Sequence, residues 1–498
     1  MELQQKSKLR NVAFTLLLAS NGVIFGYSVG IFNPLGPPLF RYVYNLDPEK
    51  DKEQSNNYLG TVFMILSVGA LVGTFFLGYF PDKIGRKPFI IAAEIVMIVT
   101  TPLYLFTNIY VLSVARFFTG FYITCTSISY KINTELLPNS VAGLGNMLSY
   151  VMLTTFVFVA YLTQIVFDEE TLATNFRPIL MWPSAICLVR LCLYPLLFKT
   201  DTPQYISMKA TSAEDRTKKL TECFSHIYVQ ADVPKAVANS VKLFEGCKRG
   251  GNIDIRKLLG REYRKRFWTG LILGAGQQVS GINFLVFFST KLFDDISGNG
   301  KVMTLVVGGA NILGGIFGLW AIGAFGRKFN LMLGILLQGV AMFGLWWGSE
   351  TKSSVVLTIS VVLYMFIFAV GFGGSLHAYL SETLPSLGFG LALGMQWLIT
   401  ALIGQFLPNL MASIGTISLI IIFGVFCFGL FFVLDYLIIE TKGKDENTIV
   451  KELRERKYSF LDCLKKSKPA PQNKYDAPDI SLEVPKENLD DLKLPPMD

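Results

Sequence analysis

The sequence predicts an all-α membrane protein: twelve transmembrane helices arranged as two pseudo-symmetric six-helix bundles. Three observations predict it. First, the 498 residues are 51% hydrophobic and only 16% charged, whereas a soluble domain carries about 25% charged residues. A cytosolic chain of that composition could not cover its surface with polar groups. Second, the apolar runs are each about 20 residues or longer, as a hydrocarbon core roughly 30 Å thick requires. Third, short motifs occur twice. Asp82-Lys83-Ile84-Gly85-Arg86-Lys87 answers to Ala324-Phe325-Gly326-Arg327-Lys328, and Thr134-Glu135-Leu136-Leu137-Pro138 answers to Ser381-Glu382-Thr383-Leu384-Pro385 at nearly the same offset. A membrane chain built twice can rock one half against the other about a shared central site.

Taken in order, residues 1–10 are polar and precede an apolar run long enough to be a retained span rather than a cleaved signal. The first half, 11–199, carries spans near 11–35, 58–80, 88–109, 111–132, 144–167 and 178–198. The second half, 267–438, carries spans near 267–291, 302–323, 329–348, 354–379, 388–411 and 416–438. Each must be helical, because a backbone in lipid has no water to bond. The middle segment, 200–266, is rich in Lys and Arg, and its stretches Asp215 to Cys223 and Pro234 to Phe244 suit short surface helices. The tail, 439–498, becomes Pro-, Asp- and Lys-rich, and disorder is expected after about residue 467.

Lys and Arg orient the chain. The two basic turns, the middle segment and the tail fall on one side if the even-numbered spans run inward, so both termini are expected in the cytosol, with the plasma membrane as the expected location. The segment 36–57, of mixed charge, is then an external loop.

The chemistry of the remaining residues excludes several function classes. Two histidines, His226 and His377, and the lack of a close cysteine pair with metal-ligand spacing argue against a zinc enzyme. All seven cysteines, Cys125, Cys187, Cys192, Cys223, Cys247, Cys427 and Cys463, are expected as free thiols. No covalent chemistry, cofactor, metal or nucleic-acid partner is expected; the expected partners are a small polar solute and the lipid bilayer.

Gln277-Gln278-Val279-Ser280-Gly281-Ile282-Asn283 is the sharpest motif. It sits inside an apolar span, where an amide costs several kcal/mol unless it finds a partner. Treated as one continuous helix, it puts Gln278 with Ile282 and Gln277 with Gly281 on common faces. Amides both donate and accept, and so complement a hydroxylated solute without charge. They equally serve as hydrogen-bonding glue between helices, and chemistry alone leaves both readings open.

That motif resembles the Q-Q-x-S-G-I-N sequence of the sugar porters, the hexose branch of the major facilitator superfamily. Other motifs agree in order across roughly residues 11–450. Phe25-Gly26-Tyr27 resembles the F-G-Y of the first span, and Asp82 to Lys87 the D-x-x-G-R-[RK] turn. Glu135 with Pro138 resembles E-x-x-P, Asp201-Thr202-Pro203 resembles the P-E-S-P-R run, and Glu440-Thr441-Lys442-Gly443 resembles P-E-T-K-G. The resemblance implies the major facilitator fold and a carrier that works by alternating access. Carried over by position, it implies sugar contacts at Gln277, Gln278, Asn283, Asn311, Gln396 and Trp397, whose ring could stack on a pyranose. It implies a cytosolic gate of Asp82, Arg86, Glu135, Arg327 and Glu382, with glutamates and arginines pairing across the halves to lock the outward-facing form.

Departures from the family pattern qualify this. Tyr150 stands where a glutamine faces the sugar, and His377 stands about where the tenth span has a tryptophan; both are candidate solute contacts. Phe287 and Phe288 replace tyrosines. Ala142 and Gln204 replace arginines, and Gly323 replaces an acid. Each lost ion pair shifts the inward–outward balance by about 1 kcal/mol, roughly fivefold, which predicts an inward-biased resting state. Ser28 follows Phe25-Gly26-Tyr27 where proton-coupled members carry an aspartate, and a serine cannot take up a proton. Glu94 and Arg190 lie within spans, where charges are functional candidates or internal ion pairs. Facilitated diffusion of a hexose or similar polyhydroxylated solute is the leading expectation. A proton-coupled sugar symporter and a non-transporting sugar sensor are the alternatives.

Overall fold

The computed structural model describes residues 6–47, 50–136, 139–248, 255–260, 263–298, 300–442 and 452. Pro138 and the tail expected to be disordered lie outside them. Among the described residues, twelve helices are long and apolar enough to cross a membrane. They form the two six-helix bundles of the major facilitator fold. One end of the molecule carries the turns at Arg86 and Arg327 and is called here the basic end.

The first span departs from the expected 11–35. It runs through three nearly continuous helices, Lys8–Ala19, Asn21–Gly30 and Phe32–Tyr42, separated by single residues, Ser20 and Ile31. The second span also starts early, at Lys52 of helix Lys52–Tyr79. The expected external loop 36–57 therefore shrinks to a short connection. Its charged residues do not stop the helices, because at a membrane surface they reach water while the backbone stays helical.

Burial inside the first bundle includes a charged pair. Glu94 and Arg190 are almost completely inaccessible and lie 2.9 Å apart. Tyr122 donates to Glu94 Oε2 at 3.0 Å and Tyr194 to Glu94 Oε1 at 3.2 Å, while Arg190 donates to the Tyr194 hydroxyl at 2.6 Å. Both carboxylate oxygens are thus satisfied, the condition under which an ion pair survives in low dielectric. Of the two readings for these charges, the internal ion pair is the one observed.

The middle segment forms helices Pro203–Lys209, Ala213–Ser225 and Val233–Lys248. Ser212 caps the second of these by accepting from Asp215 N at 3.0 Å. Its apolar residues Leu220, Cys223 and Phe224 join Phe14, Leu136 and Phe198 in the core of the first bundle, and the Lys6 amide donates to the Ile227 carbonyl at 2.9 Å. The segment is docked on the basic end of that bundle by apolar burial as well as by backbone bonding.

Between the bundles, the second span packs along the eleventh, Ser386–Ile414. The contact is backbone-close: a Cβ on Gly60 would lie 2.7 Å from the Gln405 carbonyl oxygen. With lipid as apolar as the side chains, such close packing, not water exclusion, holds helices together.

Candidate functional site

The amide motif is not one helix. The seventh span consists of Arg264–Val279 and Ile282–Ser297, with Ser280 and Gly281 between them. Gly281 has φ 99°, in the left-handed region that side chains other than glycine avoid. This corrects the face assignment that paired Gln277 with Gly281 and Gln278 with Ile282. The groups freed at the break are satisfied locally: Ser280 donates to the Gln277 carbonyl at 2.7 Å, and Tyr364 donates to the Ser280 carbonyl at 3.0 Å.

The break folds the amides together. Asn283 donates to Gln278 Oε1 at 2.6 Å and reaches Thr400 Oγ1 of the eleventh span at 3.4 Å. Gln278 donates to Gln277 Oε1 and Gln277 to the Phe372 carbonyl, each at 3.4 Å. Bonds that long leave their donors weakly engaged. Gln277, Gln278, Asn283 and Asn311 are all buried. Asn311, on the eighth-span helix Gly300–Phe325, has its Oδ1 buried and unpartnered. Thr400 was missed by sequence reasoning because a lone threonine in an apolar helix carries no signal of its own.

The remaining predicted contacts surround this group at different levels. Gln396 and Trp397 are half-buried, and Trp397 crosses to the first bundle, its ring 5.9 Å from that of Phe25. Tyr150, also half-buried, reaches the second bundle, packing on Gly315 of the eighth span and Gly373 of the tenth. The tenth span is π-helical over Ala369–Ser375. His377 lies one turn beyond Gly373 toward the basic end. It is exposed, and the structure shows no bond between it and the amides.

At the basic end the two halves repeat one charge network. Arg86, itself buried, pairs with Glu135 at 3.2 Å and Asp82 at 2.9 Å. Asp201 accepts from the backbone N–H of Arg86 at 3.1 Å and of Lys87 at 3.3 Å, and Thr202 donates to Glu135 Oε2 at 2.5 Å. In the second half Arg327 pairs with Glu382 at 2.7 Å, and Glu440 accepts from Arg327 N at 2.9 Å and Lys328 N at 3.0 Å. Asp201 and Glu440 thus cap the N-termini of the third and ninth spans, where helix dipoles favour negative charge. Burial pushes the Asp201 carboxyl above the usual carboxylate range, and the N–H bonds from Thr202, Lys87 and Arg86 oppose that shift. In this structure each arginine bonds the glutamate of its own half.

The opposite end is joined from half to half. Asn33 Nδ2 donates to the Val286 carbonyl at 3.1 Å, and Tyr161 donates to the same oxygen at 2.7 Å. Thr290 donates to Gln164 Oε1 at 3.1 Å, and Asn409 to Asn57 Oδ1 at 2.8 Å. Lys301 pairs with Glu169 at 3.4 Å, and the rings of Phe63 and Phe287 stack 4.3 Å apart. Sequence reasoning passed over this set, although amides within apolar runs were a usable signal.

With the geometry in place, comparison with known proteins is informative. A family model described as "Sugar (and other) transporter" matches residues 14–452. Hexose transporter 1 of Plasmodium falciparum is 26% identical over 474 residues, covering 89% of this chain and 93% of that protein. The glucose transporter GlcP of Staphylococcus epidermidis is 24% identical over 457 residues, covering 89% and 97%. The xylose transporter XylE from E. coli, in a partially occluded inward-open conformation, superposes with a TM-score of 0.70 at 17% identity, covering 86% of this chain and 100% of that one.

Proposed function

The chain belongs to the sugar (and other) transporter family, and from that premise we propose that it carries a hexose or similar small polyhydroxylated solute across a membrane by facilitated diffusion. The observations that carry this reading are the buried, uncharged cluster of Gln277, Gln278 and Asn283 and, on the eighth span, the buried Asn311, whose Oδ1 has no partner. Amides that merely glued helices would saturate one another. Here one short bond is accompanied by long ones, which leaves donors and an acceptor for hydroxyl groups. Gln396, Trp397, Tyr150 and His377 complete the proposed path, with Trp397 offering an aromatic face.

Passive transport is favoured by what surrounds Ser28. Arg116 donates to the Ser28 carbonyl at 2.8 Å and lies 4.5 Å from the Phe32 ring. A serine stands there in place of a proton-accepting carboxylate. Glu94, the acid deepest in the first bundle, is engaged by Arg190 and two tyrosines.

The proposed orientation puts the basic end, both termini and the segment 200–266 in the cytosol, by the excess of Lys and Arg there, in a plasma membrane. The halves 11–199 and 267–438 are the proposed moving bodies. Asp82, Arg86, Glu135, Arg327 and Glu382 form the proposed cytosolic gate. Release requires weak binding, so affinity falls near millimolar, about 4 kcal/mol. The test is a competition panel of sugars and polyols against labelled D-glucose in proteoliposomes, with and without an imposed pH gradient. Saturable flux that ignores the gradient supports the reading. Accumulation driven by the gradient overturns passive transport, and binding without flux overturns the carrier.

A further inference from the structure

The ring of Tyr150 sits in a slot made for it in the opposite bundle. One edge faces Gly315, where an added Cβ would lie 3.3 Å from Cε1. The other edge and the hydroxyl face Gly373, where an added Cβ would land on the hydroxyl oxygen. Neither glycine is required by its backbone dihedral, since neither has positive φ. What both positions share is room for this ring.

The slot adjoins the amide cluster. Gly373 follows Phe372, whose carbonyl accepts from Gln277, and Asn311 lies one turn from Gly315 on the eighth span. Along the fifth span, Thr154, one turn from Tyr150, is completely buried against Gly315. Phe158, a turn further, packs on Gly308, where an added Cβ would lie 2.8 Å from its Cδ2. Toward the basic end, His377 is exposed. By helical rise, Gly315 and Gly373 are both about 15 Å from that end. Gly373 also belongs to the π-helical turn, a backbone form that concentrates at functional sites.

We propose that Tyr150 is a gate on the basic side of the amide cluster: its ring must leave the Gly315–Gly373 slot for solute to pass, and its bulk limits the size of that solute. The inference rests on the carrier reading for its solute, but not for its mechanics. A tyrosine held between two glycines can swing out about χ1 without breaking a backbone hydrogen bond. A glutamine at this position would contact solute without filling the slot.

The experiment reports the gate without any sugar. Thr154→Cys is introduced with Cys192, Cys247 and Cys463 replaced by serine, and a membrane-impermeant thiol reagent is applied from the basic side. With Tyr150 present, labelling is slow. Tyr150→Ala is expected to speed it at least tenfold, and Tyr150→Phe, which keeps the ring, to leave it slow. Gly373→Ala, which expels the ring, is expected to label fast. Equal rates for Tyr150→Ala and the parent overturn the proposal, whether or not Gly373→Ala folds. In parallel, labelled D-xylose, D-glucose and maltose are offered to both proteins; Tyr150→Ala is expected to raise the maltose-to-xylose flux ratio several-fold, and an unchanged ratio overturns the size limit. Absence of flux for all three in the parent defeats the carrier reading while the labelling result still stands or falls alone.

Discussion

Removing Gln278 tests the amide cluster most directly. Its Oε1 receives the shortest bond of the group, from Asn283 at 2.6 Å, whereas its own Nε2 has only a 3.4 Å contact with Gln277. Gln278→Ala therefore deletes one donor available to solute and releases Asn283, whose other contact, to Thr400, is 3.4 Å. A neutral hydrogen bond is worth about 0.5–1.5 kcal/mol net, and a buried group left unpaired costs about 1–3 kcal/mol. The unpaired Asn283 weakens the fold, whereas affinity loses the solute bond from Gln278 and the one misaimed at Asn283, at about 0.5–1.5 kcal/mol each, which sums to about 1–3 kcal/mol. That corresponds to a roughly 5- to 150-fold weaker apparent affinity. The assay is the concentration dependence of D-glucose flux in proteoliposomes, with melting temperature measured alongside to separate binding from folding. A well-folded Gln278→Ala protein whose affinity for every tested sugar stays within twofold of the parent refutes the assignment of these amides to solute.

Three further outcomes follow from other parts of the structure. Tyr161→Phe deletes the 2.7 Å bond to the Val286 carbonyl that joins the halves; about 1 kcal/mol should raise external labelling of a Thr400→Cys reporter roughly fivefold, and the inward bias itself predicts weak labelling before the change. Glu440→Ala removes bonds to the N–H groups of Arg327, Lys328, Thr441 and Lys442, while Asp201→Ala removes those to Arg86, Lys87 and Thr202; each should destabilise by about 1–2 kcal/mol, Glu440→Ala by more, as read from thermal unfolding in detergent. Burial, then the charges of Arg10, Lys199 and Lys6, hold the His226 imidazole below its usual range, against a smaller opposing effect of Glu222. The folded state therefore favours the neutral ring, and its contribution is full above the unfolded value of about 6.5 and lost as pH falls through the lower folded value. Hydrogen exchange at the Lys6 amide, bonded to Ile227, should accelerate over that acidic window beyond its intrinsic pH dependence, and His226→Asn should abolish the excess.

The fold was legible because a bilayer sets a length and a period that apolar runs display directly. The chemistry of the central amides was legible too, since polar groups in such runs have few explanations. Their arrangement was not. Ser280 and Gly281 are small residues that an apolar helix tolerates, so nothing in the local pattern distinguishes a bend from a continuous turn; the choice is made by Gly281's positive φ and by Tyr364, 84 positions away. Cross-bundle bonds such as Asn33 to Val286 join residues 253 positions apart, and no periodicity encodes them. The motif acids were readable as charges, whereas the role of Asp201 and Glu440 as caps depends on which helix end each meets in space. Tyr150 was visible as a departure, but its seat on two glycines needed the packing of three helices.

The two ends of the molecule are held by different chemistry, and that difference bears on how the halves exchange. At the basic end, Arg86 and Arg327 already have carboxylates within their own halves. Transferring such a guanidinium to a glutamate of the other half exchanges one charge-assisted bond for another, so the net energy is a small difference between similar terms. At the opposite end the links are mostly neutral: amide, hydroxyl and carbonyl groups, plus the Phe63–Phe287 stack. Separating them replaces protein partners with water, at about 1 kcal/mol each. At 0.1 M salt exposed charges more than about 10 Å apart are largely screened, partly buried pairs much less so, and neutral bonds hardly at all. Salt should therefore move the conformational balance only modestly, through the exposed Asp82 and the partly exposed Arg327–Glu382 pair at the basic end, whereas the bonds of Asn33, Tyr161 and Asn57 set a threshold for opening that salt leaves nearly unchanged.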